Sequence, residues 1–206
     1  MLGHVVDAWA WTAAPSAVIT TDASPWGLGG TLWIQGRAEA YFADALVEED
    51  FSQLGFERGS CSGQAAAEAL AVLVALRLWF PLWRGQRLAL TVRSDSEAAL
   101  GALGKLGSPA PAVNKVAREV ALDVALSYYG VDTWTHVAAA DNKGADELSR
   151  WSQPGVIPTV PPSLRQARRD HTASRTASWW TVSSAEWRLR RGAARRAGAG
   201  DDAGAA

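Results

Sequence analysis

Apolar and polar residues over the first third of the chain predict three strands. The run AVITTD at 17–22 is apolar and β-branched, and it stops at the turn residues Asp-Ala-Ser-Pro. Two further strands are expected within 27–43, where Gln35 and Gly36 place a turn between two alternating stretches. The acidic sequence that continues to about Ser62 has no regular period and predicts irregular structure.

The rest of the pattern alternates between helix and strand. Helical spacing, β-branched content and stop signals predict, in chain order, a helix at 64–80 that stops near Pro81, a strand at 87–95, a short helix from Ser96, a helix at 111–129, a strand at 131–137 and a helix at 145–151. The full order is β-β-β-α-β-α-α-β-α. This order predicts an α/β fold, in which helices flank a mixed sheet.

These elements define the expected domain organisation. Residues 17–151 are predicted to form one domain, preceded by an N-terminal lead at 1–16. Beyond this domain the period is lost, because 153–163 is rich in proline and the remainder is dominated by Arg, Ala, Gly and Ser. Such a composition predicts a Pro/Arg-rich, disordered tail over 152–206.

Charge is divided unevenly between the domain and the tail. The chain of 206 residues has a formal net charge of −1, yet residues 1–150 hold 11 Lys and Arg against 17 Asp and Glu. Residues 151–206 hold nine Arg against four acidic residues, and the most basic stretch is RLRRGAARR at 188–196. An acidic domain with a basic arm is a pattern often found in proteins that contact nucleic acid or a membrane surface.

Cysteine content and hydropathy exclude several classes of protein. The single Cys61 allows neither an internal disulfide nor a cysteine zinc site, which favours an intracellular location, in nucleus or cytoplasm. The longest apolar run, at 69–83, is interrupted by Arg77 and Pro81 and is too short to predict a membrane span. The N-terminal sequence lacks a basic region of the signal-peptide type, so no membrane partner is expected.

Four carboxylates occupy conspicuous places in this pattern. Asp22 ends the first strand, Asp95 ends the fourth, and Asp146 opens the last helix. Glu68 is the only charged residue from 63 to 76, on an otherwise apolar helix. Each has an ordinary structural explanation when taken singly. The aspartates suit Asx turns or helix N-termini, and the helix could turn Glu68 to solvent.

The four acids together point to a cation site. If the first and fourth strands are neighbours, Asp22 and Asp95 lie side by side, and adjacent carboxylates repel unless a positive charge neutralises them. Carboxylate oxygens select hard cations such as Mg²⁺ or Mn²⁺ over zinc.

Four segments in this order resemble the type 1 ribonuclease H domain, in the version attached to the reverse transcriptases of gypsy- and DIRS-type retrotransposons. They are TTDASPWGLGG (20–30), QAAAEALAVLVAL (64–76), RSDSEAAL (93–100) and HVAAADNKGADELSR (136–150). The first and last segments are fairly specific, and the resemblance spans about 17–151. It implies a ribonuclease H-like fold with a five-stranded mixed sheet.

The resemblance also implies a catalytic mechanism. Asp22, Glu68, Asp95 and Asp146 fall on the family's four catalytic, metal-binding acids. Two Mg²⁺ ions are implied, with Mn²⁺ as a possible substitute: Asp22 would bridge them, Asp146 would hold the ion that activates water, and Glu68 and Asp95 would hold the other. Two such ions can stabilise both the attacking and the leaving oxygen of an in-line displacement.

An RNA/DNA hybrid is the implied substrate. Gln64 matches a position where the family directs an amide toward the minor groove of the hybrid, and Ser24, Ser96 and Asn142 are further substrate-binding candidates. RNA would be distinguished from DNA by contacts to its 2′-hydroxyls. The structural alternative for these polar residues is a place in a cap or on the surface.

The chain departs from the family in several ways. Ala138, Ala139 and Ala140 stand where relatives carry Pro-Gly, and His136 is expected on the last strand, half-buried and not catalytic. Only the short connection 107–111 separates two helices, so the basic substrate-binding protrusion of cellular enzymes is absent from the pattern. No Tyr-x-Asp-Asp polymerase motif occurs. An attached or separate reverse transcriptase polymerase domain is therefore a possible partner. The Arg-rich stretch has three open explanations: contact with phosphates, a nuclear-localisation patch, or sequence without a function.

The sequence thus predicts a metal-dependent endoribonuclease that cuts the RNA strand of RNA/DNA hybrids and derives from a retrotransposon. Two alternatives remain open. One is a catalytically silent ribonuclease H-like module or retroelement fragment that binds nucleic acid or a partner protein. The other is a member of the wider integrase and exonuclease superfamily that acts on DNA.

Overall fold

A computed structural model describes residues 14–83, 88–126 and 129–180. Most of the predicted N-terminal lead and the Arg-rich stretch 188–196 lie outside these ranges.

Six strands form one mixed sheet in this part of the chain. They are β1 (Ser16–Ala23), β2 (Gly27–Ile34), β3 (Arg37–Ala45), β4 (Ala89–Ser94), β5 (Thr133–His136) and β6 (Arg168–Arg169). The spatial order is β5-β4-β1-β2-β3-β6. The first three strands are an antiparallel meander, β4 and β5 lie parallel to β1, and β6 lies parallel to β3.

The helices are α1 (Glu48–Leu54), α2 (Gln64–Trp83), α3 (Glu97–Gly104), α4 (Pro111–Ala125), α5 (Lys143–Ser149) and α6 (Ala177–Trp180). The predicted α/β class, the mixed sheet of five strands and the order of the predicted elements are confirmed, with β6 as an additional short edge strand. Helix α1 was not predicted. Its acidic first turn, Glu48 to Asp50, suits a helix N-terminus. Only two apolar residues, Phe51 and Leu54, are buried, which is too few to give a helical period in the sequence.

Helix α2 forms the centre of the core on one face of the sheet. Its apolar residues are buried almost all round, against β1 and β2 on one side and against α3 and α4 on the other. The predicted stop near Pro81 is wrong, since the helix continues to Trp83. Proline has no N–H to bond to the carbonyl oxygen four residues earlier, but buried Trp79 and Trp83 hold this last turn against the core.

By length and composition alone, the segment Cys61–Trp83 could cross a membrane, because it is 23 residues long with a mean hydropathy of 1.7. This differs from the expectation based on the interrupted run 69–83. In the structure 67% of its most apolar window is buried inside the protein, as befits a core helix.

The other face of the sheet receives α5, and glycines in β2 allow a close approach. A Cβ at Gly29 would meet the backbone of Ala145 and Ser149, and one at Gly27 would lie 2.8 Å from the carbonyl oxygen of Ser149. Larger residues at these two positions would push α5 away from the sheet. The glycine-rich sequence therefore sets the position of the helix that carries Asp146.

Residues 152–180 differ from the prediction of a disordered tail. A 3₁₀ turn at Pro162–Leu164, the strand β6 and helix α6 pack on the domain, and Leu164 and Trp180 are buried. On the open face of the sheet, Leu164 joins a small second core that includes Tyr41 and Leu148.

Buried ion pairs hold this C-terminal segment in place. Arg175, only 3% exposed, pairs with Asp50 at 2.8 Å and with Asp44, and it donates to the carbonyl oxygen of Ala45. Arg77 on α2 donates to the carbonyl oxygen of Trp179 at 2.9 Å, and its guanidinium lies 4.7 Å from the centre of that indole ring. Arg175, which belongs to the tail predicted to be disordered, thus makes specific contacts in the fold.

We expect the substitution Arg175→Ala to lower the free energy of unfolding by about 3 kcal/mol or more, because it leaves the fully buried Asp50 carboxylate without its cation. Urea unfolding followed by circular dichroism measures this difference. The matched control is Arg165→Ala, at an exposed position, which should change the free energy by less than about 0.5 kcal/mol. Equal stability of the two variants would contradict the anchoring role of Arg175.

Candidate metal centre

Two neighbouring strands bring the first two acids together. Strands β1 and β4 are parallel and adjacent, with Thr20 paired in register to Arg93. Asp22 lies two residues beyond Thr20, and Asp95 lies two residues beyond Arg93, so the two carboxylates meet at the carboxyl ends of the strands. The condition stated for a cation site, that the first and fourth strands are neighbours, is met.

Helix α2 adds a third acid. Glu68 lies one turn into the helix, and an oxygen from each of Asp22, Glu68 and Asp95 lies within 4.8 Å of the others. Asp22 and Glu68 are each 4% exposed, whereas Asp95 is half-buried. The sequence left open whether Glu68 faces solvent or the interior of the protein. In the structure the carboxylate faces the interior, because α2 packs against the sheet at this point.

This arrangement raises the pKa of two of the carboxylic acids. Burial raises the pKa of Asp22 to about 7; the hydroxyl of Ser149 opposes the rise, and the carboxylates of Asp95 and Asp146 add to it. Burial also raises the pKa of Glu68 to about 9, and the negative charges of Asp22 and Asp95 contribute to the increase. Both shifts arise mainly from burial, and the neighbouring carboxylates add to them.

Gln64 orients Glu68 from the preceding turn of α2. Its Nε2 donates to Glu68 Oε1 at 2.8 Å and to the carbonyl oxygen of Ala23 at 2.6 Å. The amide thus ties the helix to the end of β1 and leaves the second oxygen of Glu68 toward the cluster.

Asn142 performs the same task for the aspartates. It is 1% exposed, and its Nδ2 donates to the carbonyl oxygen of Thr21 at 3.2 Å, to Asp22 Oδ1 at 3.3 Å and to Asp95 Oδ1 at 3.4 Å. One amide group therefore contacts both strand-end acids.

Asp146 lies close to this cluster but outside the group of three. In the first turn of α5, its Oδ1 accepts from Arg150 Nε at 2.9 Å and from an Arg150 terminal nitrogen at 2.6 Å. Its negative charge nevertheless contributes to the raised pKa of Asp22. The structure therefore brings Asp22, Glu68 and Asp95 within ligand distance of one another and holds Asp146 in an ion pair beside them.

The two serines predicted to contact substrate have local structural partners. Ser24 is buried, and its Oγ donates to the carbonyl oxygen of Ser149 at 2.8 Å and accepts from the backbone N–H groups of Trp26 and Gly27. Ser96 is the N-cap of α3 and accepts from the N–H of Ala99 at 3.3 Å.

Ser149 was missed by sequence reasoning. Its Oγ donates to Asp22 Oδ2 at 2.6 Å, a buried hydrogen bond to the carboxylate. The only signal was its place in the segment HVAAADNKGADELSR, one turn after Asp146.

His136 is more exposed than expected. Its Nε2 lies 3.2 Å from the carbonyl oxygen of Asp95, and its Nδ1 lies 3.9 Å from Glu97. The ring therefore stands at the edge of the carboxylate cluster and faces solvent.

The donor set fits a divalent cation. All three clustered groups offer oxygens, the ligands that hard cations prefer. Glu68 Oε2 is buried and has no hydrogen-bond partner among the described residues. A buried carboxylate oxygen without a partner is costly unless a proton or a cation occupies it.

The sequence matches no protein-family model and no curated protein. Among solved structures, the fold is similar to ribonuclease H1 from the halophilic archaeon Halobacterium salinarum, with a TM-score of 0.47, 21% identity, and coverage of 70% of this chain and 100% of that chain. It is also similar to a ribonuclease H1 isolated from compost, with a TM-score of 0.49, 16% identity, and coverage of 68% of this chain and 94% of that chain. A third similar structure is the N-terminal RNase H domain of a Mycobacterium tuberculosis protein, with a TM-score of 0.46, 18% identity, and coverage of 65% of this chain and 95% of that chain. The function is therefore inferred from the carboxylates themselves.

We expect the thermal stability of the metal-free protein to fall as pH rises from 5 to 8. The folded state holds protons on Asp22 up to about pH 7 and on Glu68 up to about pH 9, whereas the unfolded chain releases them near pH 4. The variant Glu68→Gln removes one of these groups. Between pH 5 and pH 8 the melting temperature of this variant should therefore fall by at least about 5 °C less than that of the wild type.

Differential scanning calorimetry in EDTA measures the effect, and Glu57→Gln, at an exposed position, is the control. Adding 10 mM Mg²⁺ should raise the melting temperature of the wild type more at pH 8 than at pH 5, because protons compete with the ion. Parallel curves for wild type and Glu68→Gln, or no response to Mg²⁺, would contradict this description of the cluster.

Proposed function

We propose that this protein is a metal-dependent ribonuclease H that cleaves the RNA strand of RNA/DNA hybrids and leaves 3′-hydroxyl and 5′-phosphate ends. The observation that carries the proposal is the group of three carboxylates, Asp22, Glu68 and Asp95, gathered at the carboxyl ends of two adjacent parallel strands. The adjacency of β4 and β1 in the sheet is consistent with the arrangement implied by the sequence motifs.

The proposed ligands and catalytic residues are Asp22, Glu68, Asp95 and Asp146, and the proposed cofactor is a pair of Mg²⁺ ions, which Mn²⁺ could replace. Bound there, the ions would supply an activated water and stabilise the departing 3′ oxygen. The protein's part is to hold three acidic side chains closer together than they would remain in water. Gln64, Asn142 and Ser149 fix their orientation through hydrogen bonds.

Asp146 has a distinct role in this proposal. Its carboxylate is tied to Arg150 in an exposed i, i+4 ion pair, which contributes little to stability and is easily exchanged. We infer that Asp146 turns from Arg150 toward the cluster when cations bind. The freed guanidinium would then lie beside the cluster, where it can contact a phosphate.

On the substrate side, Gln64 and Asn142 are the best-placed candidates, because both amides lie within hydrogen-bond distance of the clustered acids. A partly exposed amide such as that of Gln64 can also reach the shallow minor groove of a hybrid, where 2′-hydroxyls mark the RNA strand. Ser24 and Ser96 would act indirectly, through the turn and the helix cap that they hold. A retrotransposon origin and a reverse transcriptase polymerase partner remain parts of the proposal that rest on the motifs alone.

One observation favours the silent alternative. Asp146 lies outside the group of three and is neutralised by Arg150. A protein in which this pair never opens would bind nucleic acid without hydrolysing it.

Cleavage of a labelled RNA/DNA hybrid in Mg²⁺ tests the proposed activity. The wild type should release RNA fragments with 5′-phosphates, and Asp95→Asn should be slower by roughly 100-fold or more, since changing even a residue behind a metal ligand costs 10- to 100-fold. Asp146→Asn should be similarly impaired, whereas Glu147→Gln, its exposed neighbour on α5, should retain full activity.

The outcomes separate the alternatives. No cleavage by the wild type, or equal rates for wild type and Asp95→Asn, would overturn the proposal. Hybrid binding without turnover would favour the silent module, and preferential cleavage of duplex DNA would favour the integrase and exonuclease class.

The Arg-rich stretch 188–196 is proposed to add affinity for nucleic acid. Because residues 152–180 are packed on the domain, the informative deletion removes only 181–206. This deletion should weaken hybrid binding at low salt and reduce the salt dependence of the dissociation constant, since fewer counterions are released on binding. Fluorescence anisotropy at 50 and 200 mM salt measures both quantities. Identical affinities for the full and shortened chains would show that this stretch does not contribute.

A further inference from the structure

A polar row crosses the face of the sheet opposite α2. Arg93 on β4 is paired in register with Thr20 on β1, and Thr20 is paired with Thr31 on β2. The flanking residues Ile19 and Val92 are fully buried in the core against the helices, so the polar row points to the other face. Adjacent hydroxyl and guanidinium groups thus stand at the centre of this face.

This row lies in a cavity of about 410 Å³. Val18 and Trp33 extend its floor on the neighbouring register row, where they are paired across β1 and β2. The lining also includes Asp141, Asn142 and Ala145, around the start of α5, and Ser163 and Leu164, in the C-terminal segment. Asp141 is an exposed carboxylate at the edge of the cavity, away from the register row that holds Arg93. The size falls within the range of pockets that hold small organic ligands, about 300–1,000 Å³.

Several polar groups in the lining have no hydrogen-bond partner among the described residues. Within 14–83, 88–126 and 129–180, Arg93, Thr20 and Ser163 have no side-chain hydrogen bond or ion pair to another residue. Asn142 Oδ1 is buried and also lacks a partner there. A guanidinium with adjacent hydroxyls is a chemistry suited to a phosphate group.

The apolar part of the lining is equally specific. The indole Nε1 of Trp33 donates to Thr31 Oγ1 at 3.2 Å, which fixes the ring beside the polar row. Val18 and Leu164 supply aliphatic surface next to it. An indole held in one orientation is a good surface for stacking a planar ring, and a nucleobase is such a ring.

We propose that this cavity binds a nucleotide unit, with its phosphate at Arg93 and the neighbouring hydroxyls and its base against Trp33. The buried oxygen of Asn142 would accept a hydrogen bond from a sugar hydroxyl or an exocyclic amine. This site is separate from the carboxylate cluster, although Asn142 borders both. The unit can come from a free mononucleotide or from the end of a phosphorylated strand, and both present the same groups to the cavity.

Isothermal titration of the full chain in EDTA tests the proposal, with AMP, adenosine, inorganic phosphate and a 5′-phosphorylated tetranucleotide as probes. AMP should bind roughly tenfold or more tightly than adenosine or phosphate, because each lacks one half of the contacts. Tighter binding of the tetranucleotide than of AMP would identify the end of a strand as the source, and the reverse order would identify the free nucleotide.

Variants locate the binding site. Arg93→Gln and Trp33→Leu should each weaken AMP binding by roughly tenfold or more, whereas Arg118→Gln, an exposed arginine on α4, should leave it unchanged. Each variant is first checked by a thermal melt, and Trp33→Leu carries the test if Arg93→Gln does not fold. Absence of binding of both AMP and the tetranucleotide at 5 mM would overturn the proposal. Phosphate binding as tight as AMP binding, or equal effects of Arg93→Gln and Arg118→Gln, would do the same.

Because these titrations are carried out in EDTA, and are repeated on Asp95→Asn, they do not depend on hydrolysis. An inactive enzyme that still binds AMP through Arg93 would refute the proposed activity and leave this site intact. An active enzyme that does not bind AMP or the tetranucleotide would refute this site and leave the proposed activity intact.

Discussion

Repulsion between buried carboxylates is the constraint around which this structure is arranged. Asp22 and Glu68 are almost fully buried and approach within ligand distance of each other and of Asp95. Such a group is unfavourable by itself, because each ionised carboxylate loses hydration and meets the field of the others. The apolar packing of α2 against β1 supplies the stabilisation that keeps Glu68 in position. The fold thus holds three acidic side chains together at one edge of the sheet.

The elements that build this centre could be predicted because their signals are local. A β-branched run that stops at Asp22, and an alanine- and leucine-rich helix with one acid, are patterns that a single stretch of sequence reveals. The adjacency of β1 and β4 was a condition of the sequence argument, and their pairing in the structure places Asp22 beside Asp95. The inward orientation of Glu68 could not be decided locally, since it depends on where α2 meets the sheet.

Features that depend on distant partners escaped prediction. Arg175 and Asp50 are 125 residues apart in sequence, and composition alone cannot distinguish a buried arginine from a solvated one. The link between Ser149 and Asp22 likewise spans 127 residues. The pairing of Asp146 with Arg150 is local, but the family resemblance directed attention to a metal and away from an ordinary i, i+4 ion pair. For Arg175 and Ser149 the missing information was tertiary.

The burial of Arg175 has a practical consequence for where this domain can be cut. A chain that ends with the last recognisable motif, near Arg150, would contain every proposed catalytic acid. It would also leave Asp50 uncovered at the base of α1, remove the parallel partner of the edge strand β3, and open one wall of the cavity at Leu164. Expression boundaries drawn from motif coverage would therefore yield a fragment with an exposed sheet edge and a tendency to associate.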